Sequence, residues 1–334
     1  MKLVFDQFFF QSNAASAQIL RQKYCEGEFG EEVVFISTTK SYKNTKFESF
    51  KEDALCITDY SGIKSKNISL MYLLLLIYVL KNRKKIDEII SMSSPGFNLF
   101  VVAILSIFFP TRFYIQDTFP DGKLFALGLE KLKFLFWPFL YLSYKSINHR
   151  ITISNSMATY LKSTYFVKCD VVINPSNLSS ITRVNTEGCK TFFLSGNFSH
   201  AHGYELPVMV LKLLFDEGYK LDLNGFGRNF EKLRSSGLFP TDVFGDFMSQ
   251  EEYERKLATS TVFIILQDYG YERFCATSKF TSLFAIPGSK FLYIGPPCDI
   301  SETLRKTDRG VHVSRSDSQR EIVEKIENLL DESD

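Results

Sequence analysis

Short runs of β-branched and aliphatic residues alternate along the chain with stretches of helical period, and this pattern predicts most of the elements. Lys2–Phe5, Glu32–Ile36 and Ala54–Thr58 read as strands, with Ala14–Lys23 as an amphipathic helix after the first. Helix Ser69–Lys81 then precedes strand Glu88–Ser91, and helix Asn98–Phe108 precedes strand Arg112–Gln116. A long helical stretch leads to strand Arg150–Ile153, a short helix from Ser154 to Leu161, and strand Val171–Ile173. A second series begins after Lys190 with strand Thr191–Ser195, helix Tyr204–Glu217, strand Lys220–Leu223, helix Arg228–Ser236 and strand Asp242–Phe244. It continues with helix Ser249–Thr259, strand Val262–Leu266, helix Ser278–Ala285, strands Phe291–Ile294 and Val311–Val313, and a charged helix Asp317–Leu330. Such alternation calls for parallel sheets covered by helices on both faces. The polar stretch Ser176–Gly188 separates the two series. The expected fold is therefore α/β, with two Rossmann-like domains facing across a cleft: residues 1–170, residues 171–315, and a C-terminal helix 316–334 free to cross back to the first. In such sheets ligands sit beyond the carboxyl ends of the strands.

Composition narrows the function classes. A length of 334 residues suits two domains of roughly 150 residues. Thirty-nine basic against 38 acidic side chains leave no basic footprint for nucleic acid. With 45% hydrophobic residues and only 10 Pro, disorder is excluded. The six cysteines are scattered with no C-x-x-C pair, which reads as reduced thiols in a cytoplasmic protein, not a zinc or redox motif. Asp6 breaks the N-terminal apolar run too early for a signal-peptide core.

The unusual count is 33 Phe. Much of this excess clusters between Phe97 and Phe139, and three segments, Leu70–Leu80, Phe97–Phe109 and Leu132–Leu142, are conspicuously apolar, each short of the ~20 residues of a spanning helix. Core packing suits the first two. The third interleaves aromatics with Lys131, Lys133 and Lys145 around Trp137 and Pro138, which suits an interfacial surface and peripheral contact with the inner face of a membrane.

Candidate chemistry concentrates in the second series. Three of its strands end in glycine, at Gly196, at Gly225-Phe226-Gly227 and at Gly245. Glycine at a strand–helix junction lets backbone N–H groups approach a phosphate, although tight packing alone also requires it. Neither the full G-x-G-x-x-G nor the G-x-x-x-x-G-K-[ST] pattern occurs, which disfavours NAD and P-loop chemistry. Ser278 can cap a helix whose first turn presents Lys279 to an anion such as a diphosphate leaving group; a solvated first-turn lysine is the plain alternative.

The block Thr277-Ser278-Lys279 through Pro287-Gly288-Ser289-Lys290 resembles the P-S-K-x-x-E-Y-x-A-x-G-K-P block of family-4-like GT-B glycosyltransferases. Other segments follow in that family's order. Phe192–Asn197 is similar to the strand opening the donor domain, Leu223–Gly227 to its G-x-G turn, and Val243–Phe247 to the loop that holds the nucleobase. Gly310–Val313 resembles a late G-x-x-V strand, and Ile153–Ser156 the element before the interdomain crossing. Gln116–Pro120 resembles the D-x-W-P turn on the acceptor side, and Phe10–Ser16 the small polar first loop.

The resemblance implies a metal-independent transferase that moves a sugar from a nucleotide-sugar donor, as substrate and with no bound cofactor, to a glycan or lipid-linked glycan acceptor. It implies retention of anomeric configuration and a place in bacterial surface polysaccharide synthesis, of lipopolysaccharide, O-antigen or capsule type. The donor set it implies is Asn197, His200, His202, Gly225, Gly227, Arg228, Phe244, Gly245, Glu272, Thr277, Ser278 and Ser282, with Lys279 stabilising the leaving diphosphate. On the acceptor side it implies Asn13, Ser16 and Asp121, with Asp117 to orient or deprotonate the acceptor hydroxyl; a turn-capping aspartate is the alternative for Asp117. Two departures stand out. Ser282 replaces the family's donor-binding glutamate, and Glu272 lacks its glutamate partner, Phe280 standing in that place. His200 and His202 replace the usual basic residue and admit three readings: phosphate donors, plain loop residues, or an H-x-H metal pair. A GT-B sugar-nucleotide epimerase and a degenerate, non-catalytic GT-B subunit are the alternative functions.

Overall fold

The computed structural model describes residues 1–6, 19–20, 22–24, 26–30, 32–38, 61–65, 68–93, 96–173, 178, 181–184, 190–246 and 248–331. The chain forms two compact units: Met1–Pro175 together with Phe274–Ala276, and Ser176–Arg273 together with Thr277–Asp334.

The first unit is built on seven strands, β1 (Lys2–Phe5), β2 (Val33–Thr38), β3 (Ser61–Ser65), β4 (Glu88–Met92), β5 (Thr111–Ile115), β6 (His149–Thr152) and β7 (Asp170–Val171). Their order is β3-β2-β1-β4-β5-β6-β7, and every pairing is parallel. Central strand β1 buries Leu3, Val4 and Phe5, the contiguous apolar run that a sheet covered on both faces demands. Helices α1 (Ile68–Asn82), α2 (Asn98–Leu105), α3 (Asp121–Ala126), α4 (Lys133–Ser146) and α5 (Asn155–Tyr165) supply its crossovers. Met71, Leu75, Leu99, Val102, Leu140, Tyr144 and Met157 join Leu3, Phe5 and Phe113 in one core, while Ile19, Leu20, Val4, Phe35 and Tyr114 form a core on the other face. Ser154 caps α5 by accepting from the Met157 amide at 3.2 Å. The anticipated strand Ala54–Thr58 lies outside the described residues; the third strand seen is β3.

Phe274–Ala276 enters this unit from far along the sequence. The Phe274 carbonyl accepts from the Thr118 amide at 2.9 Å, and Asp117 and Cys275 form an antiparallel bridge. The Phe274 ring is 2% exposed, with its centroid 5.2 Å from Phe125 and 5.1 Å from Tyr160.

The second unit has six strands: β8 (Thr191–Asn197), β9 (Lys220–Phe226), β10 (Phe244–Gly245), β11 (Val262–Leu266), β12 (Lys290–Ile294) and β13 (Gly310–Val313). All are parallel, in the order β10-β9-β8-β11-β12-β13, so the progression reverses between β8 and β11. Its helices are α6 (Glu205–Asp216), α7 (Arg228–Arg234), α8 (Gln250–Thr259), α9 (Ser278–Phe284), α10 (Asp299–Thr307) and α11 (Gln319–Asp331). The C-terminal helix α11 does not cross back: Ile322, Ile326, Leu329 and Leu330 bury in the core of this second unit. The reason is its apolar stripe at helical spacing, completed by Lys290 donating to the Leu329 carbonyl at 2.7 Å. Among the described residues no helix is long and apolar enough to cross a membrane.

Candidate functional site

The reversal of strand order in the second unit opens a position beyond the carboxyl ends of β8 and β11, the place where such sheets accept ligands. β8 ends there as Ser195-Gly196-Asn197. Gly196 has φ of +88°, and a Cβ at this residue would collide with the ammonium of Lys279. Lys279 is the second residue of α9 and is half-buried. Loss of hydration lowers its pKa to about 8, and it has no hydrogen-bond or ion-pair partner among the described residues. A partly dehydrated cation with no counter-charge among the described residues is set up to receive an anion.

The glycines of the next turn serve close packing first. A Cβ at Gly225 would meet the Gly196 carbonyl; one at Gly227, with φ of +110°, would stand 2.5 Å from Asn197 Oδ1 and 2.8 Å from the Phe198 carbonyl. That carbonyl accepts from the amides of Asn229 at 3.1 Å and Phe230 at 3.3 Å. The second and third amides of α7 are thus taken by the protein, and the turn also presents the exposed side chain of Arg228.

The loop after β8 is held by its own polar groups. The Ser199 amide donates to His202 Nδ1 at 3.1 Å, so that nitrogen is an acceptor and carries no proton. His200 Nε2 stands 3.5 Å from Arg228 Nη1, and because Arg only donates, this nitrogen accepts. Asn229, which the sequence reading passed over, is buried and donates to the carbonyls of Ser199 at 3.0 Å and Gly203 at 2.6 Å. It fixes the loop that carries both histidines. The only sequence signal was a polar residue at the buried side of α7. Among the described residues no three His, Cys, Asp or Glu side chains group in a way that could hold a metal ion.

Phe244 is half-buried and packs edge-on to Phe230 at 5.8 Å and to Phe239 at 6.2 Å. Gly245 packs on Asn224, where a Cβ would overlap the amide, and its carbonyl accepts from Arg234 at 3.2 Å. Past β11, Asp268 Oδ1 accepts from the Tyr269 amide at 2.8 Å and from Arg315 Nη2 at 3.0 Å. Glu272 Oε2 accepts from the Gly270 amide at 2.7 Å, bracing the turn before α9. Thr277, not Ser278, occupies the N-cap position of α9, and its side chain makes no capping bond. Ser278 is the first helical residue, because the backbone is still extended at Thr277, where ψ is 91°. Ser282 lies half-buried one turn on from Lys279.

In the first unit, Asp117 follows β5 with its amide donating to the buried hydroxyl of Ser93 at 3.0 Å; the Gln116 amide does the same at 2.9 Å. Ser93, at the end of β4, is a second residue the sequence reading missed. The Asp117 side chain is exposed, yet the mass of protein around it raises the carboxyl to about 6; water that still reaches it moderates the push. Asp121 is 3% exposed, and its Oδ2 accepts from the hydroxyls of Tyr160 at 2.8 Å and Tyr165 at 2.6 Å. It anchors α3 to α5, and burial raises its pKa. Asn13 and Ser16 lie outside the described residues.

No family model matches the chain, and no curated protein matches it by sequence. Solved structures do match. WaaG, a glycosyltransferase involved in lipopolysaccharide biosynthesis, superposes with a TM-score of 0.61 at 10% identity, covering 99% of this chain and 90% of WaaG. The sucrose-phosphate synthase of Thermosynechococcus elongatus gives 0.65 at 11% identity, over 99% and 89% of the two chains. Anabaena HepE, solved in complex with UDP and glucose, gives 0.63 at 13%, again over 99% and 89%. At such identities the likeness is one of fold: the chain has the two-domain α/β fold of GT-B glycosyltransferases.

Proposed function

We propose that this protein transfers a sugar, with retention, from a nucleotide-sugar donor to a glycan or lipid-linked glycan acceptor. We place the reaction at the cytoplasmic face of a membrane, in the synthesis of a surface polysaccharide such as lipopolysaccharide, O-antigen or capsule. The observation that carries the reading is the Lys279 ammonium, unpaired among the described residues, lying against Gly196 at the strand-order reversal. HepE, of the same fold, was solved with UDP and glucose, which supports a nucleoside diphosphate as the anion.

On this reading the diphosphate of the donor takes the Lys279 charge as the glycosidic C–O bond breaks, with Arg228 and the Ser278 hydroxyl as further donors. No metal is required in the proposed step. The departing phosphate oxygen takes the acceptor proton, and Asp117 orients the acceptor hydroxyl. Asn197, His200, His202, Thr277 and Ser282 complete the donor contacts, Ser282 in the glutamate's place.

The test is donor hydrolysis and transfer with a panel of nucleotide sugars, read as released nucleoside diphosphate. Turnover with one donor that falls at least ~100-fold in Lys279→Ala supports the proposal, the scale of losing one transition-state donor. Ser282, in place of a carboxylate, favours one alternative, a non-catalytic binding subunit. Donor binding with no release of diphosphate would select it.

A further inference from the structure

Helices α1, α2 and α4 contain no acidic residue, and their inner sides bury Leu75, Val79, Val102 and Leu140 in one core on one face of the first sheet. They adjoin one another. Tyr72 of α1 donates to Asn98 of α2 at 2.6 Å, Arg83 lies 5.4 Å over the Phe108 ring, and Ser146 of α4 reaches the Ala103 carbonyl of α2 at 3.4 Å.

Their outer sides are as apolar as their inner ones. Leu73, Leu76 and Leu80 repeat at helical spacing along α1, and Leu80 is 70% exposed. Ile104 and Ile107 continue the surface on and just beyond α2, with Ile107 72% exposed. Phe139 and Leu142 continue it on α4, with Phe139 65% exposed. A contiguous apolar surface over three helices exceeds what a monomeric soluble domain ordinarily shows to water.

The charges around it select the occupant. All three helices connect parallel strands, so they run in the same direction and their C-terminal ends share one edge. Exposed Lys81 stands in the last turn of α1 there, exposed Arg83, Lys84 and Lys85 follow it, and exposed Lys145 stands in the last turn of α4. A second copy presenting the same face would bring no acid on these helices to answer them. Anionic headgroups answer them directly. The longest of the three helices has 15 residues, about 22 Å, against a hydrocarbon thickness of about 30 Å, too short to span a bilayer.

We propose that the outer faces of α1, α2 and α4 form a membrane-docking surface for an anionic bilayer. Leucine and phenylalanine side chains enter the interface, and the Lys81–Lys85 edge sits at the phosphates. This deepens the membrane placement in the proposed function by naming the surface and the lipid charge, and its failure is distinguishable from failure of the transferase reading, since docking is measured without donor.

The test is co-sedimentation of the full chain with vesicles of phosphatidylcholine alone or with about a third phosphatidylglycerol. The single tryptophan, Trp137 of α4, serves as reporter through quenching by brominated acyl chains. We expect binding to the anionic vesicles, weakened by salt, with quenching of Trp137. Leu80→Glu with Phe139→Glu, both at exposed positions, should weaken binding at least ~10-fold while leaving the melting temperature and donor hydrolysis unchanged. Lys84→Glu with Lys85→Glu should remove the preference for anionic lipid. Failure to bind either vesicle overturns the proposal, as does vesicle binding that the Leu80/Phe139 variant leaves unaltered. A dimer in solution that the Leu80/Phe139 variant dissociates, with vesicle binding unaltered, overturns it in favour of a self-interface.

Discussion

Lys279 permits a prediction that separates charge from mere position. Its pKa is lowered from the ordinary 10.5 to about 8 by lost hydration, a discrimination against the ammonium of about 3 kcal/mol at ~1.4 kcal/mol per pH unit. A nucleoside diphosphate seated against it would restore the ammonium, so binding should take up a proton. Near pH 8 the free lysine is about half protonated, and uptake should approach half a proton per diphosphate; two pH units lower it should fall to about zero. Isothermal titration of UDP in buffers of different ionisation enthalpy measures this directly. Lys279→Met supplies the subtraction that removes the nucleotide's own ionisation. The same shift has a stability consequence of defined sign. Between about 8 and 10.5 the folded state binds fewer protons than the unfolded one, so stability rises with pH across that window. Lys279→Met should therefore stabilise the protein at neutral pH, an advantage that shrinks in alkaline buffer. Wild-type uptake absent at pH 8, or equal in Lys279→Met, would refute the reasoning.

Three further outcomes are expected. Gly227→Ala forces a Cβ against Asn197 Oδ1 and the Phe198 carbonyl at φ of +110°, and should cost about 1–3 kcal/mol and weaken UDP binding, read by thermal melts and titration. Asp117, raised to about 6, should give the rate an acid limb near that pH, with activity gained as the carboxyl ionises; Asp117→Asn should lose ~100-fold and flatten the limb in a pH–rate profile. Asp121→Asn perturbs the buried acceptor of two tyrosine hydroxyls and should lower stability by about 1–3 kcal/mol in denaturant titrations, with KM for the donor unchanged.

The strand–helix alternation was legible because parallel strands buried on both faces must be continuous apolar runs, and Val262–Leu266 falls where the pattern put it. Helix α10 escaped notice. DISETLRKT holds only Ile300 and Leu304 on its buried side, a stripe too narrow to outweigh its charge. The glycine-ended strands and Lys279 were visible as residue types at junctions. The use of Gly225 and Gly227 was not, because a glycine that admits a phosphate and one that admits a neighbouring carbonyl look identical in sequence. Asp121 was placed on the acceptor side by its position after Pro120, and nothing local announced that Tyr160 and Tyr165, some forty residues on, would enclose it. Phe274 illustrates the same limit. Its neighbours Glu272 and Lys279 belong to the second unit, and only the tertiary fold reveals the detour.

That detour bears on how separable the two units are. The polypeptide passes between them after Pro175, after Arg273 and again after Ala276, so the first unit is not a continuous stretch of sequence. A fragment ending at Pro175 would keep all seven strands yet lack the ring that sits against Phe125 and Tyr160 and the carbonyl that receives the Thr118 amide. An absent buried phenylalanine is worth about 3–5 kcal/mol, a large part of a domain's stability. Exchanging whole halves between proteins of this architecture would therefore require the three residues Phe274–Ala276 to travel with the half they do not adjoin in sequence.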